Sequence, residues 1–194
     1  MSSRQNILQD ITANKPEAID LPELNVTGVI QYEDAVEQFE FVLHSIGGAV
    51  VHLKDLTELK KDLESNQAAR QQIVNRITAL GEVSDDISCF SAEQLALVDI
   101  AYLKGELGVA ENGCIWLYES QMGNRLLPFI CQHLVLLISK QDIVTTMHDA
   151  YNMVDTAKEG FGVFIAGPSK TADIEQSLVI GAHGARSLVV YILE

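Results

Sequence analysis

Apolar residues recur along the chain with two spacings, one typical of helices and one of buried strands. From Glu33 to Ile46 they keep helical spacing, which predicts an amphipathic helix. Gly47–Gly48 follows at once and ends that helix. Short apolar runs bounded by polar residues predict strands at residues 49–53, 114–118, 134–138, 161–165 and 188–192.

Further helices are predicted before and between these strands. They comprise a polar helix at residues 2–12, a charged helix at 55–67, a helical turn at 125–131, and helices at 145–158 and 172–180. Within residues 71–107 the pattern leaves strand and helix both open. Helices that alternate with buried strands favour an α/β fold, with a mainly parallel sheet and helices on both faces.

Length and composition predict a single domain over residues 1–194, with residues 1–30 as an N-terminal helix and loop extension. A chain of 194 residues and 21.3 kDa can bury a core without metal or disulfide staples. The formal net charge of −14 and the pI near 4.6 argue against nucleic acid or an anionic membrane as the main partner, because the protein's field repels phosphate. A local basic pocket could still hold a small anion.

The cysteines Cys89, Cys114 and Cys131 are widely spaced, and the sequence has no C-x-x-C motif. We therefore expect no structural zinc or iron–sulfur cluster bound by this chain alone. Lone thiols and the lack of a signal-peptide pattern predict a soluble, cytoplasmic protein. The longest apolar run, residues 126–138, contains polar side chains and is shorter than the roughly 20 residues of a membrane span.

The first candidate site follows the predicted strand at 161–165. Gly167 ends this strand, and Ser169, Lys170 and Thr171 precede the helix predicted at 172–180. A helix N-terminus presents unpaired backbone N–H groups, which together with a lysine and two hydroxyls suit a carboxylate or phosphate. Ordinary capping of the helix by these hydroxyls is the structural alternative.

The second candidate is a turn before the predicted strand at 114–118. Glu111 directly precedes Asn112 and Gly113, a dipeptide typical of tight turns. A carboxylate beside a turn at a sheet edge is placed to act as a general base or a nucleophile. Asn-Gly also closes ordinary hairpins, so a purely structural turn is the alternative.

The third candidate is His183, which is followed by Gly184 and leads into the last predicted strand. An imidazole titrates near neutral pH, so His183 is the acid–base candidate, and we interpret the other four histidines as structural. The alternative is a helix end at Gly181 followed by a surface loop. No Gly-x-Ser-x-Gly motif indicates a serine hydrolase.

Together these segments resemble the LUD-domain family, which includes the lactate-utilisation protein C group. The resemblance covers roughly the C-terminal half of the chain. It depends on Gly-Pro-Ser-Lys-Thr-Ala-Asp-Ile-Glu at 167–175 and Leu-Val-Ile-Gly-Ala-His-Gly at 178–184, with residues 109–114, 125–128 and 133–136 in the expected order. Lys170 stands where the family usually has arginine, which keeps the charge but loses the planar fork. Asn112, Cys114 and Ala185 also depart from the family pattern.

The resemblance implies a three-layer α/β/α domain like those of ribose-phosphate isomerases, glucosamine-phosphate deaminases and CoA transferases. It implies a part in the oxidation of L-lactate to pyruvate, with the iron–sulfur clusters on partner proteins. CoA transferases of this superfamily carry a glutamate acyl acceptor in a similar turn, so acyl transfer by Glu111 is an alternative. A non-catalytic ligand-binding or sensor subunit is a third. Whether the chain is an enzyme, and whether it forms a homo-oligomer, stays open.

We expect the three candidate segments to converge on one pocket at the carboxyl edge of the parallel strands, where loops gather in open α/β sheets. There Lys170 and the N-terminus of the predicted helix would hold the anionic group of a small carboxylate or phosphate-bearing ligand. Glu111 and His183 would handle protons or acyl groups. No metal-ligand set is predicted.

Overall fold

The computed structural model describes residues 2–20, 28, 30–84, 86–172, 178–180 and 184–194. The helices are α1 (Ser3–Ala13), α2 (Ala35–Ser45), α3 (Thr57–Ala68), α4 (Ala92–Leu95), α5 (Glu119–Met122), α6 (Leu127–Ile130) and α7 (Met147–Met153). The strands are β1 (Ala49–Leu53), β2 (Ile73–Asn75), β3 (Ile100–Lys104), β4 (Leu107–Val109), β5 (Cys114–Tyr118), β6 (His133–Ser139), β7 (Ile143–Val144), β8 (Gly162–Ala166), β9 (Lys170–Ala172), β10 (Leu178–Ile180) and β11 (Ser187–Leu193). Short 3-10 turns cover Thr78–Leu80, Asp86–Cys89 and Lys140–Asp142.

The main sheet of the described chain has five parallel strands in the order β1-β11-β6-β3-β2. His133 of β6 aligns with Ser187 of β11 on one side and with Ile100 of β3 on the other. A second sheet has the order β7-β4-β5-β8 and is antiparallel except where β4 meets β7. Strands β9 and β10 form a separate antiparallel pair.

Helices cover both faces of the parallel sheet. On one face, Leu59 and Leu63 of α3 pack with Tyr102, Val135 and Leu137 of the sheet. The opposite face is buried beneath α2 and the second sheet. Its contacts come from Phe39 and Leu43 of α2 and from Ile115 and Leu117 of β5. The alternate side chains of β5, including Trp116, face α7 instead, as the two-residue period of a strand requires.

The α/β class and the mainly parallel sheet are thus confirmed. Within residues 71–107, where the pattern leaves strand and helix both open, the chain forms the edge strand β2 and the interior strand β3, with the short helix α4 between them. The helix predicted over 145–158 ends at Met153. No helix in the described ranges combines the length and apolar character needed to cross a bilayer.

One predicted helix is wrong. The pattern at residues 172–180 suggested a helix, but Lys170–Ala172 pairs with Leu178–Ile180 as an antiparallel hairpin. Residues 173–177 lie outside the described part of the chain. Pairing between two short strands overrides the weak helical pattern of this segment. The segment after Gly167 therefore enters a strand instead of a helix N-terminus.

Candidate functional site

Two of the predicted turns meet at Ile46, the residue that ends α2. Gly113 has φ +68°, and a Cβ at this position would lie 3.1 Å from the backbone nitrogen of Leu43 and 3.4 Å from Cδ1 of Ile46. Gly167 has φ +70°, and a Cβ there would lie 2.9 Å from the carbonyl oxygen of Ile46. Both positions have a left-handed backbone that favours glycine. At Gly167 a Cβ would also come closer to the backbone than real Cβ atoms do, whereas at Gly113 the backbone of Leu43 would have to shift by a few tenths of an ångström.

The segment after Gly167 continues past Gly47, which has φ +90°. A Cβ on Gly47 would lie 3.5 Å from Cγ of Pro168 and 3.8 Å from Cε of Lys170. The aliphatic part of Lys170 therefore lies beside the loop between α2 and β1. The sequence pattern indicated only that Gly47 ends a helix, so its contact with the segment after Gly167 was not predicted. Adjacent glycines before a buried strand were the available signal.

The segment before β11 joins the same cluster. The Ser169 backbone N–H donates a 2.8 Å hydrogen bond to the carbonyl oxygen of Ala185. A Cβ on Gly184 would lie 3.0 Å from the Ser169 Cβ. His183 lies outside the described residues, so its role stays a prediction. The structure therefore brings together Gly113, Gly167, Ser169, Lys170 and Gly184, around Ile46 and Gly47; we call this set the glycine cluster.

The glycine cluster lies at the amino edge of the parallel sheet. Gly47–Gly48 directly precedes β1, and Gly184 lies just before β11. The predicted position at the carboxyl edge is therefore wrong. The reason is that β8, which delivers Gly167, belongs to the antiparallel sheet and ends near the start of β1. Ligands are expected at the carboxyl end of a strand only when that strand belongs to the parallel sheet.

Glu111 and Asn112 have structural contacts in this turn. The Oε2 atom of Glu111 accepts a 2.9 Å hydrogen bond from the backbone N–H of Met147, the first residue of α7. The Glu111 N–H donates to the carbonyl oxygen of Thr145 at 3.1 Å. Asn112 Oδ1 accepts from the Cys114 N–H at 3.1 Å, which closes the turn. These bonds match the structural alternative for the turn, and the Glu111 side chain remains exposed.

The two buried cysteines have weakly acidic thiols. Burial raises the pKa of Cys114 to about 12, and the nearby Glu111 carboxylate also raises it. Burial likewise raises the pKa of Cys131 to about 12. Both are therefore protonated at neutral pH and are poor nucleophiles. Among the described residues, no three His, Cys, Asp or Glu side chains are grouped so that they could hold a metal ion.

A separate open cavity lies beside β2, the edge strand of the parallel sheet. It has a volume of about 510 Å³ and is lined by residues that include Gln67, Asn75, Glu82, Ser84 and Asp86. Asn75 is buried, and its amide nitrogen donates to the carbonyl oxygens of Ile77 and Glu82. The amide is thus used to hold the loop after β2. With two acidic residues and no basic residue in its lining, the cavity is a poor fit for an anionic ligand.

The sequence model of the LUD domain matches residues 21–193. The chain belongs to the LUD domain family. Helix α1 lies before the matched region of this LUD domain.

Curated relatives include Lactate utilization protein C of Shouchella clausii, 32% identical over 99 residues, which are 48% of this chain and 43% of that protein. Lactate utilization protein C of Geobacillus kaustophilus is 33% identical over 112 residues, 55% of this chain and 44% of that protein. The matched segments span less than half of each relative.

A crystal structure of a DUF162 family protein from Deinococcus radiodurans resembles this LUD domain with a TM-score of 0.65 at 20% sequence identity. The similarity covers 82% of this chain and 96% of that one. At this identity the likeness supports the fold alone. It agrees with the mainly parallel α/β architecture described above.

Proposed function

We propose that this LUD domain acts in organic-acid utilisation, as a component of a system that oxidises L-lactate to pyruvate together with iron–sulfur partner proteins. The observation that carries the proposal is membership of the LUD domain family over residues 21–193, with curated relatives named Lactate utilization protein C. Oxidation of L-lactate to pyruvate releases two electrons and two protons. We assign the electrons to clusters on the partner proteins.

The glycine cluster is the proposed carboxylate site. The side chain of Lys170 is exposed, and its Cε lies beside Gly47, so its ammonium group can meet a small anion without crossing the core. At Gly167 and Gly184 the absence of a Cβ lets the backbone approach Ile46 and Ser169 closely, which packs the segments on either side of Lys170 together. His183, one residue before Gly184, is the proposed acid–base group. The helix dipole does not contribute, because residues 170–172 form a strand.

Gene deletion tests the proposed role. We expect a strain lacking this protein to lose growth on L-lactate and to keep growth on pyruvate, the product of the oxidation. The wild-type chain and Lys104→Ala, which changes an exposed lysine of β3, should restore growth, whereas Lys170→Ala should restore it poorly. Equal growth of the deletion strain on both carbon sources would contradict the proposal.

Purification tests the partner assignment. A tagged wild-type chain from lactate-grown cells should bring down proteins with the visible absorption of iron–sulfur clusters. Acid-labile sulfide and iron in that fraction, and their absence from a fraction of untagged cells, would support the assignment. Recovery of the tagged chain alone under mild conditions would count against it.

Acyl transfer by Glu111 is the enzymatic alternative. In that reaction the carboxylate attacks the thioester carbonyl, an anhydride forms, and the CoA thiolate leaves. The hydrogen bond from Met147 to Glu111 instead favours an anchoring role. Incubation with acetyl-CoA and mass mapping of the peptide containing Glu111 distinguishes the two roles, since only a nucleophile gains the acyl mass.

A non-catalytic sensor subunit is the other alternative. Such a subunit would bind L-lactate tightly without converting it to product.

A further inference from the structure

A second cavity, with aromatic walls, lies where β5 meets the start of β8. It has a volume of about 250 Å³, and its lining includes three aromatic residues, Trp116, Tyr118 and Phe161, and two glycines, Gly160 and Gly162. Pockets for drug-sized ligands typically measure about 300–1,000 Å³. This cavity is slightly smaller, so its size suits a molecule of one or two rings.

The indole of Trp116 brings an unused hydrogen-bond donor to this cavity. The residue is only 9% exposed, and its buried Nε1 has no hydrogen-bond partner in the described part of the chain. Tyr118 packs edge to face against the indole, with 5.5 Å between the ring centres. An indole nitrogen can only donate, and a buried N–H without an acceptor costs free energy. A bound molecule with an acceptor atom would remove that cost.

The two glycines leave room beside the donor. A Cβ on Gly162 would lie 2.2 Å from Cζ2 and 2.9 Å from Cε2 of Trp116. Because Cε2 is bonded to Nε1, the backbone of Gly162 lies against the edge of the indole that carries the N–H. A Cβ on Gly160 would have no atom within 4 Å. A flat molecule can therefore approach this edge where a larger residue would block it.

The segment of residues 155–161, which supplies part of the lining, is held by contacts at the surface. The Asp155 N–H donates a 3.0 Å hydrogen bond to the Tyr118 hydroxyl. The Lys158 ammonium nitrogen lies 4.4 Å from the centre of the Tyr118 ring and 3.7 Å from Oε1 of Glu106. Exposed ion pairs of this kind contribute little to stability. A small outward shift of the segment therefore opens the indole edge at low cost.

The charges around the cavity favour a neutral occupant. Glu159 already accepts two hydrogen bonds, from the N–H and the hydroxyl of Ser120, and Lys158 is paired with Glu106. We propose that this cavity binds a small neutral heteroaromatic molecule. The molecule packs against the aromatic walls, and its ring nitrogen or carbonyl oxygen accepts a hydrogen bond from the Trp116 N–H.

This site is separate from the glycine cluster, and its occupant does not depend on the lactate role. Gly162 begins β8, and Gly167 follows the end of that strand. A strand of five residues spans roughly 16 Å. The two sites therefore lie at opposite ends of β8, and each can be tested without the other.

Nuclear magnetic resonance of the full chain tests the hydrogen bond directly. Trp116 is the only tryptophan of the sequence, so a nitrogen-labelled protein gives a single indole N–H signal. Titration with quinoline at mildly alkaline pH should move this proton signal downfield, because the ring nitrogen accepts the hydrogen bond. Naphthalene has the same shape without an acceptor and should cause no such shift. An indole signal that quinoline leaves in place, or that both probes move alike, would overturn the proposal.

Equilibrium dialysis with the same two probes tests the contribution of the donor. The wild type should bind quinoline about fivefold more tightly than naphthalene. Trp116→Phe keeps an apolar ring but lacks the N–H, and it should bind the two probes alike. Tyr151→Phe is the matched control, because Tyr151 packs on Phe164 of the same aromatic cluster and keeps the indole intact. Equal binding of both probes by the wild type, or a quinoline preference that persists in Trp116→Phe, would contradict the site.

Discussion

The carboxylate of Glu111 accepts a hydrogen bond from the backbone N–H of Met147, 2.9 Å away. This bond links the turn between β4 and β5 to the start of α7. It satisfies one of the N–H groups that a helix leaves unpaired at its first turn. The residue that suggested acyl chemistry in the sequence therefore has a structural task in the fold.

Replacement of Glu111 should reveal that task as a loss of stability. We expect Glu111→Ala to lower the free energy of unfolding by about 1 kcal/mol, because it removes a helix-capping acceptor. Glu111→Gln keeps an acceptor oxygen and should cost less. Urea denaturation followed by circular dichroism measures both. Glu64→Ala, at an exposed position of α3, is the control. Equal stability of Glu111→Ala and the wild type would contradict the anchoring role.

Gly167 should be intolerant of any side chain. Gly167→Ala would place a Cβ 2.9 Å from the Ile46 carbonyl oxygen at a φ of +70°, so we expect a loss of about 1–3 kcal/mol in unfolding free energy. Gly160→Ala is the matched control, because a Cβ there would have no atom within 4 Å. Thermal denaturation compares the two variants. A Gly167→Ala protein as stable as Gly160→Ala would show that the turn relaxes freely.

Lys170→Ala should weaken the binding of small carboxylates. Because the lysine side chain is exposed, we expect a loss on the order of 1 kcal/mol, about fivefold in the dissociation constant, and a smaller loss at high salt. Isothermal titration with L-lactate at two ionic strengths measures the effect. Lys104→Ala should bind like the wild type. An unchanged affinity of Lys170→Ala would remove the lysine from the site.

The buried hydroxyl of Tyr102 should make the free energy of unfolding decrease at alkaline pH. Its hydroxyl donates a 2.7 Å hydrogen bond to Asp62 and accepts one from Asn66. Burial raises the Tyr102 pKa well above its ordinary value, and the hydrogen bond to Asp62 adds to this shift. Because the folded pKa is the higher one, the contribution is complete below the unfolded value of about 10 and declines as the pH rises above it.

We therefore expect the wild-type protein to lose stability between pH 9 and pH 11 more steeply than Tyr102→Phe. At pH 7 the variant should be about 1 kcal/mol less stable, because it lacks the buried hydrogen bonds. Denaturant titrations at several pH values measure both differences. Tyr151→Phe, at a side chain that is 63% exposed, is the control. Parallel pH profiles for the wild type and Tyr102→Phe would contradict the prediction.

The sequence predicted the positions of the strands and helices better than it predicted which strands pair with one another. Strands β5 and β6 and helix α2 follow strong apolar patterns, and the structure confirms them. An apolar run does not reveal which sheet its strand joins, however. The antiparallel pairing of β8 with β5 moved Gly167 to the amino edge of the parallel sheet. The residues that meet there, Gly113, Gly167 and Gly184, were candidates from their motifs, whereas Ile46 became visible only through tertiary contact.

The glycine cluster draws on residues 47, 113, 167 and 184, which are separated by long stretches of chain. Loop closure over such distances is slow and becomes complete only when both sheets have assembled. The site is therefore absent from the unfolded chain. A ligand that binds it would stabilise the native state by RT ln(1 + [L]/Kd). Thermal shift across a panel of small organic acids would consequently identify the ligand through the melting temperature of the whole domain, without an activity assay.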